Sequence, residues 1–209
     1  LSVGADVRVA YANQFPAAPG QGRLDSLMLM EWNLYVALRP FDGLTLYLDH
    51  GAWGNVKAFV LMEMDPVGAY VMAGRFLPPY GLRWESHRSY VREGLGFGPR
   101  DLDEGVLLGL RRGPLHLAAA VLNGAGGDAF FDDNDRKAIS ARLELSFRAN
   151  RLRGLVGASF YHNLSGTQTA LGDERRGEYR QGAFGAISVG RFSYLAQADF
   201  VRTYRFATE

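Results

Sequence analysis

The chain contains no cysteine, which excludes disulfides, thiolate metal sites and covalent haem attachment through Cys-x-x-Cys-His. Any redox role would have to be exercised through a partner. No apolar run approaches the roughly eighteen residues of a membrane helix; the stretch from Leu115 to Leu122 is short and carries His116. With a formal net charge of +1 and no basic tract interleaved with aromatics, nucleic acid is not an expected partner. Four histidines are present, none in a His-Glu-x-x-His arrangement, and no Gly-x-Ser-x-Gly elbow occurs. The expectation is a protein that is not an enzyme, with no catalytic residue, no metal and no other cofactor. Neither an initiator Met nor a signal sequence opens the chain, so it reads as mature or partial.

What is present is alternation. From Glu31 to His50, Trp32, Leu34, Val36 and Leu38 fall on one parity and Asn33, Tyr35, Ala37 and Arg39 on the other, the period of a strand with one apolar and one polar face. Pro40-Phe41-Asp42-Gly43 reverses the chain. Leu44, Leu46 and Leu48 then alternate with Thr45, Tyr47 and Asp49. The same pattern recurs at residues 3–11, 56–64, 68–76, 106–111, 115–121, 139–147, 152–160, 179–189 and 192–206, giving about eleven strands and one β domain over 1–209. Connections after odd strands read as longer and those after even strands as tight, including a polar loop at 163–177, which is the layout of an up-and-down membrane barrel. Aromatic residues toward strand ends, such as Tyr11, Trp32, Phe147, Phe160, Phe192 and Tyr204, suit interfacial girdles.

A soluble antiparallel sheet also alternates. The polar parity favours the membrane wall, because it pairs Arg142 with Glu144 and carries small residues at Gly154, Gly157, Gly182 and Gly185, as a wet, crowded lumen would. On this reading the fold is all-β, an antiparallel up-and-down transmembrane β-barrel, and Ser140 faces water opposite a lipid-facing Leu143.

The segment Gly74-Arg-Phe-Leu-Pro-Pro-Tyr-Gly-Leu82, continuing to Arg92, resembles a strand end and loop of the phosphate-selective porin family and of related barrels in porin-cytochrome conduits. Val121-Leu-Asn-Gly124 followed by Asp132-Asp-Asn-Asp-Arg-Lys137 is a second, weaker likeness. The resemblance implies a barrel in the outer membrane of a Gram-negative bacterium, usually of about sixteen strands. About eleven strands are fewer than that, so the chain is expected to be part of a larger barrel, incomplete at one or both ends. An open edge in lipid would leave unpaired amides and carbonyls, so further strands or another chain, such as a second copy in a homo-oligomer, would complete the wall. Phosphate selectivity is not carried over, because no dense basic ladder matches it.

The polar parity supplies the candidate pore lining: Arg8, Arg39, Lys57, Arg111, Arg142, Arg151, Arg153 and Arg180 against Asp6, Asp49, Glu63, Glu144 and Asp199. It reads either as a mildly anion-preferring lining or as cross-strand ion pairs that solvate the interior. Arg83, His87, Arg88 and Arg92 would form a constriction if the loop 85–93 folded inward, and a solvated loop is the alternative. Asp128, Asp132, Asp133, Asn134 and Asp135 lack the glycine and distal glutamate of a calcium loop and read as solvated. Expected partners are membrane lipid and small hydrophilic or anionic solutes that diffuse through the barrel; the alternative is a multihaem cytochrome that the barrel would sheathe.

Overall fold

The computed structural model describes residues 1–14, 24–51, 56–82, 102–124, 137–169 and 172–206. Their strands are β1 (Ser2–Gln14), β2 (Leu24–Phe41), β3 (Leu44–Gly51), β4 (Val56–Met64), β5 (Ala69–Phe76), β6 (Asp103–Arg112), β7 (Leu115–Leu122), β8 (Ala138–Ala149), β9 (Leu152–Thr169), β10 (Gly172–Val189) and β11 (Phe192–Phe206). Each pairs antiparallel with its sequence neighbour, so the eleven form one up-and-down sheet in the order β1 to β11. Among the described residues that sheet is not closed, since no pairing joins β1 to β11.

Direct cross-strand partners share a face, and the registers carry one parity across the whole sheet. Asp6 faces Asn33, Tyr35 faces Asp49, Asp49 faces Lys57, Glu63 faces Tyr70, His116 faces Glu144, Arg142 faces Ser159 and Gly182 faces Asp199. The other face is a field of aliphatic side chains. Val3, Val7, Leu34, Leu48, Val60, Met62, Val106, Leu108, Val121, Ile139, Leu143, Leu145, Val156 and Ile187 all stand exposed on it.

Two irregularities adjust the register. Arg8 pairs with Glu31 but Val9 pairs with Leu29, which leaves Met30 as the extra residue of a bulge and keeps exposed Leu27 and Leu29 on the same face as Leu34. β2 therefore begins at Leu24, seven residues before the alternation that is legible from Glu31. The second bulge lies between Leu38 and Phe41 and contains Arg39.

Three further expectations are corrected. The polar segment 163–177 is not a loop: Asn163 pairs with Glu178 and Ser165 with Arg176, so the β9–β10 hairpin runs on until two residues separate its strands, and the ninth connection is short. Gly154 and Gly185 lie on the aliphatic face, opposite Ile187 and Val156, and only Gly157 and Gly182 belong to the polar parity. The polar parity is also not uniformly wet, because Tyr70, Met72, Phe76, Leu107, Ala118, Ala120, Leu122, Ala138 and Tyr161 pack into a buried apolar cluster on it. Space for that cluster comes from small partners: the Tyr70 ring lies over Gly109, where a Cβ would stand 2.0 Å from it.

Candidate functional site

A single-layer sheet should leave both faces accessible, yet Ser140 and Leu107 are 0% exposed. The cover is the segment that leaves β5. After Phe76 the chain does not run outward along the strand direction but crosses the polar face as a strap, Leu77 to Leu82. Tyr80 is 1% exposed, and Pro79 is also fully buried.

Five hydrogen bonds staple the strap to three strands. The Tyr80 hydroxyl donates to Asp199 Oδ1 on β11 (2.8 Å), the Gly81 N–H to Ser159 Oγ on β9 (2.8 Å), and the Leu82 N–H to Gln197 Oε1 on β11 (2.9 Å). In return, Ser140 Oγ on β8 donates to the Pro79 carbonyl (3.0 Å) and Arg142 Nε to the Gly81 carbonyl (2.8 Å). Four backbone groups of the strap, the Pro79 and Gly81 carbonyls and the Gly81 and Leu82 N–H groups, are thereby satisfied by side chains.

The sequence of the strap suits this path. Two prolines hold it extended and donate no N–H, and Gly81 turns at φ +58, where a side chain would be strained and its Cβ would meet Gln197 at 2.6 Å. Gly182 makes the pocket for the phenol: a Cβ there would lie 2.2 Å from Asp199 Oδ1 and 3.0 Å from the Tyr80 hydroxyl. Burial first, and then the Asp199 carboxylate, push the Tyr80 phenol well above the ordinary tyrosine range. It stays a neutral donor at any physiological pH.

The strap also defines the curvature. Six inter-strand steps from β5 to β11 span about 29 Å on a flat sheet, whereas the four residues from Phe76 to Tyr80 reach about 14 Å. Two side chains and a hydrogen bond close that gap only if the sheet curls, so the polar face is concave.

Every candidate lining residue with a described side chain lies on this face or at its tight-turn end, and most of the cations are charge-paired. Arg8 meets Asp6 at 3.0 Å, Lys57 meets Asp49 at 3.6 Å and Arg111 meets Glu63 at 3.5 Å. Arg142 is hydrogen-bonded to Glu144 and lies over the Phe184 ring, 4.7 Å from its centroid. Arg180 pairs with Glu178 and lies over Tyr161 at 5.3 Å. Asp199 accepts from Gln197 Nε2 at 2.9 Å as well as from Tyr80. Arg39, Arg151 and Arg153 are exposed toward the tight-turn end, Arg39 within its bulge and Arg151 in the turn after β8. The arrangement is closer to a balanced set of ion pairs than to a ladder of bare cations. His116 on the concave face hydrogen-bonds the Tyr70 hydroxyl at 2.8 Å, with the Arg111 guanidinium over that ring at 4.6 Å. His50 lies on the aliphatic parity, stacked on Trp32 at 5.7 Å.

Arg83, His87, Arg88 and Arg92 lie outside the described residues, as do Asp128, Asp132, Asp133, Asn134 and Asp135. Sequence reasoning did not single out Tyr80, Gln197, Ser140 and Ser159 as anchors of a segment laid on the concave face. The one signal was the Pro-Pro-Tyr-Gly run itself. Comparison with protein-family models, with curated proteins and with solved structures returns no match. The likeness at Gly74 to Leu82 therefore stands on those residues alone.

Proposed function

We propose that the curled sheet is wall of a transmembrane β-barrel in the outer membrane of a Gram-negative bacterium, through which small hydrophilic solutes pass passively past the strap. One observation carries this reading: the convex face exposes large apolar side chains from nearly every strand while the charged parity is turned to the concave side. A soluble monomer rarely exposes a contiguous apolar patch beyond a few hundred Å², and this one crosses the sheet.

Its height fits hydrocarbon. On β2, Trp32 and Phe41 lie nine residues apart, with exposed Leu29 and Leu27 continuing beyond Trp32 on the same face, and on β11 Phe192 lies ten residues from Arg202, which faces Tyr179. At about 3.3 Å per residue and a tilt near 40°, those intervals give about 23–25 Å, against an apolar band of about 25 Å in outer-membrane barrels. Aromatic rings flank these intervals, with Trp32, Phe160 and Tyr179 toward one end and Phe41, Phe147 and Phe192 toward the other.

The paired charges argue for weak ion selectivity rather than a dedicated anion path. Solute passage ranks above a sheath around a multihaem cytochrome, because a protein threaded through the concavity would need the surface over β8 to β11 that the strap covers. Conductance in a planar bilayer tests the proposal. Discrete, weakly selective channels are expected, and an intact inserted barrel that never conducts would refute solute passage. Copurification of a haem-staining partner would transfer the assignment to the sheath.

A further inference from the structure

We infer that the tight-turn end of β6 to β11 is a basic collar that sits among the headgroups of an anionic phospholipid leaflet. The inference rests on the membrane-wall reading and adds a lipid class to it. Arg112 ends β6, Arg148, Arg151 and Arg153 surround the turn between β8 and β9, and Arg191 forms the turn between β10 and β11. All five are exposed. The segments that hold them, 111–115, 146–155 and 186–195, contain no aspartate or glutamate.

Arg148 and Arg153 are direct cross-strand partners on the concave parity at the rim, a like-charge juxtaposition that costs stability and adds to the positive field there, while Arg112, Arg151 and Arg191, at the strand end and in the turns, are the members placed to meet headgroups. No carboxylate lies within ion-pair distance of any of the five among the described residues. The contrast within the same end of the sheet is sharp, since the turns after β2 and β4 carry Asp42 and Asp65. In that half the one exposed arginine beside a turn, Arg39, has Asp42 three residues away, so uncompensated basic charge gathers at the β6 to β11 half among the described residues.

The neighbours decide what the collar meets. Phe147 immediately precedes Arg148, Phe192 immediately follows Arg191, and Tyr194 lies two residues further along β11. Their rings are 43%, 77% and 70% exposed on the convex face. Moving outward along β8 or β11, the chain passes from aliphatic residues to exposed aromatics to arginine, the order of a leaflet from hydrocarbon through interface to phosphate. Guanidinium groups engage phosphate oxygens in bidentate fashion. An acidic protein would satisfy the charges and leave the aromatic step unexplained.

The test uses the whole chain refolded from urea into vesicles of phosphatidylcholine alone or of phosphatidylcholine with phosphatidylglycerol, followed by protease protection. Insertion should be several-fold faster with phosphatidylglycerol, and the advantage should vanish in about 1 M salt, where the screening length falls to about 3 Å. The triple variant Arg112→Gln, Arg151→Gln, Arg191→Gln should insert equally in both lipids. Equal insertion of the unaltered chain in both lipids, or a phosphatidylglycerol advantage that survives salt, overturns the collar even if the variant fails to fold. Equal insertion together with retention of soluble polyglutamate would also overturn it, in favour of an acidic protein. Insertion into neither vesicle would instead refute the membrane wall beneath it.

Discussion

Replacing Tyr80 with Phe removes a single oxygen from the strap and tests whether those hydrogen bonds hold it on the sheet. The ring keeps its place in the buried cluster that includes Phe76 and Leu107, while the donor to Asp199 is lost. A buried hydrogen bond to a charged acceptor is worth about 1.5–3 kcal/mol. Asp199 keeps a second donor in Gln197, so the lower end applies, about 1.5 kcal/mol, which is about a tenfold rise in the undocked population. Hydrogen exchange reads that population directly, because the Gly81 and Leu82 amides are themselves staples, bonded to Ser159 and Gln197. Their exchange should accelerate about tenfold while amides of β6 to β8 keep their protection. Unchanged exchange at Gly81 and Leu82 would refute the staple argument, and equal acceleration across the strands would show that the substitution acts on the whole sheet rather than on the strap.

Leu143 is 41% exposed on the convex face, so Leu143→Arg should destabilise the inserted protein by about 2–4 kcal/mol in denaturant titration from vesicles; a change within error would remove Leu143 from the lipid-facing set. Spin labels placed by cysteine substitution at 139, 143 and 145 should respond to a lipid-soluble quencher and a label at 146 to an aqueous one, whereas a label at buried Ser140 should be reached by neither unless it displaces the strap. Alkaline titration should release the strap. The folded-state phenol of Tyr80 is raised above the unfolded value of about 10, so its contribution is fully present below pH 10 and is lost as pH climbs beyond it. Exchange at Gly81 that, after correction for intrinsic rate, is no faster above pH 10 would contradict this.

Much of the sheet was legible because alternation survives wherever one face is apolar. The hairpin from Glu31 to His50, its turn at Asp42-Gly43, and the common face of Lys57, Arg142, Arg180 and Asp199 all follow from parity alone. Parity failed where that contrast was absent. The outer half of the β9–β10 hairpin is polar on both faces, so nothing in residues 163–177 distinguished strand from loop. The bulge at Met30 displaced the pattern of β2 by one residue and hid its first third. Ser140 was read as water-facing because a polar parity says which side a residue takes, not what comes to cover it. The strap itself was illegible, since four of its five bonds use backbone groups whose partners lie 61 to 115 residues away.

Those sequence separations give the strap a role in folding order. The sheet can grow hairpin by hairpin, each strand meeting a neighbour that precedes it in the chain, at low cost in loop closure. Tyr80 has to wait for Asp199, 119 residues downstream. It can lock only after β11 has been added and the curl has brought the two ends of the sheet section together. Interactions that form after the rate-limiting step leave the folding rate nearly unchanged and slow the reverse reaction. The strap would then act as a latch on the finished curve, lengthening the lifetime of a sheet whose strands pair before it docks.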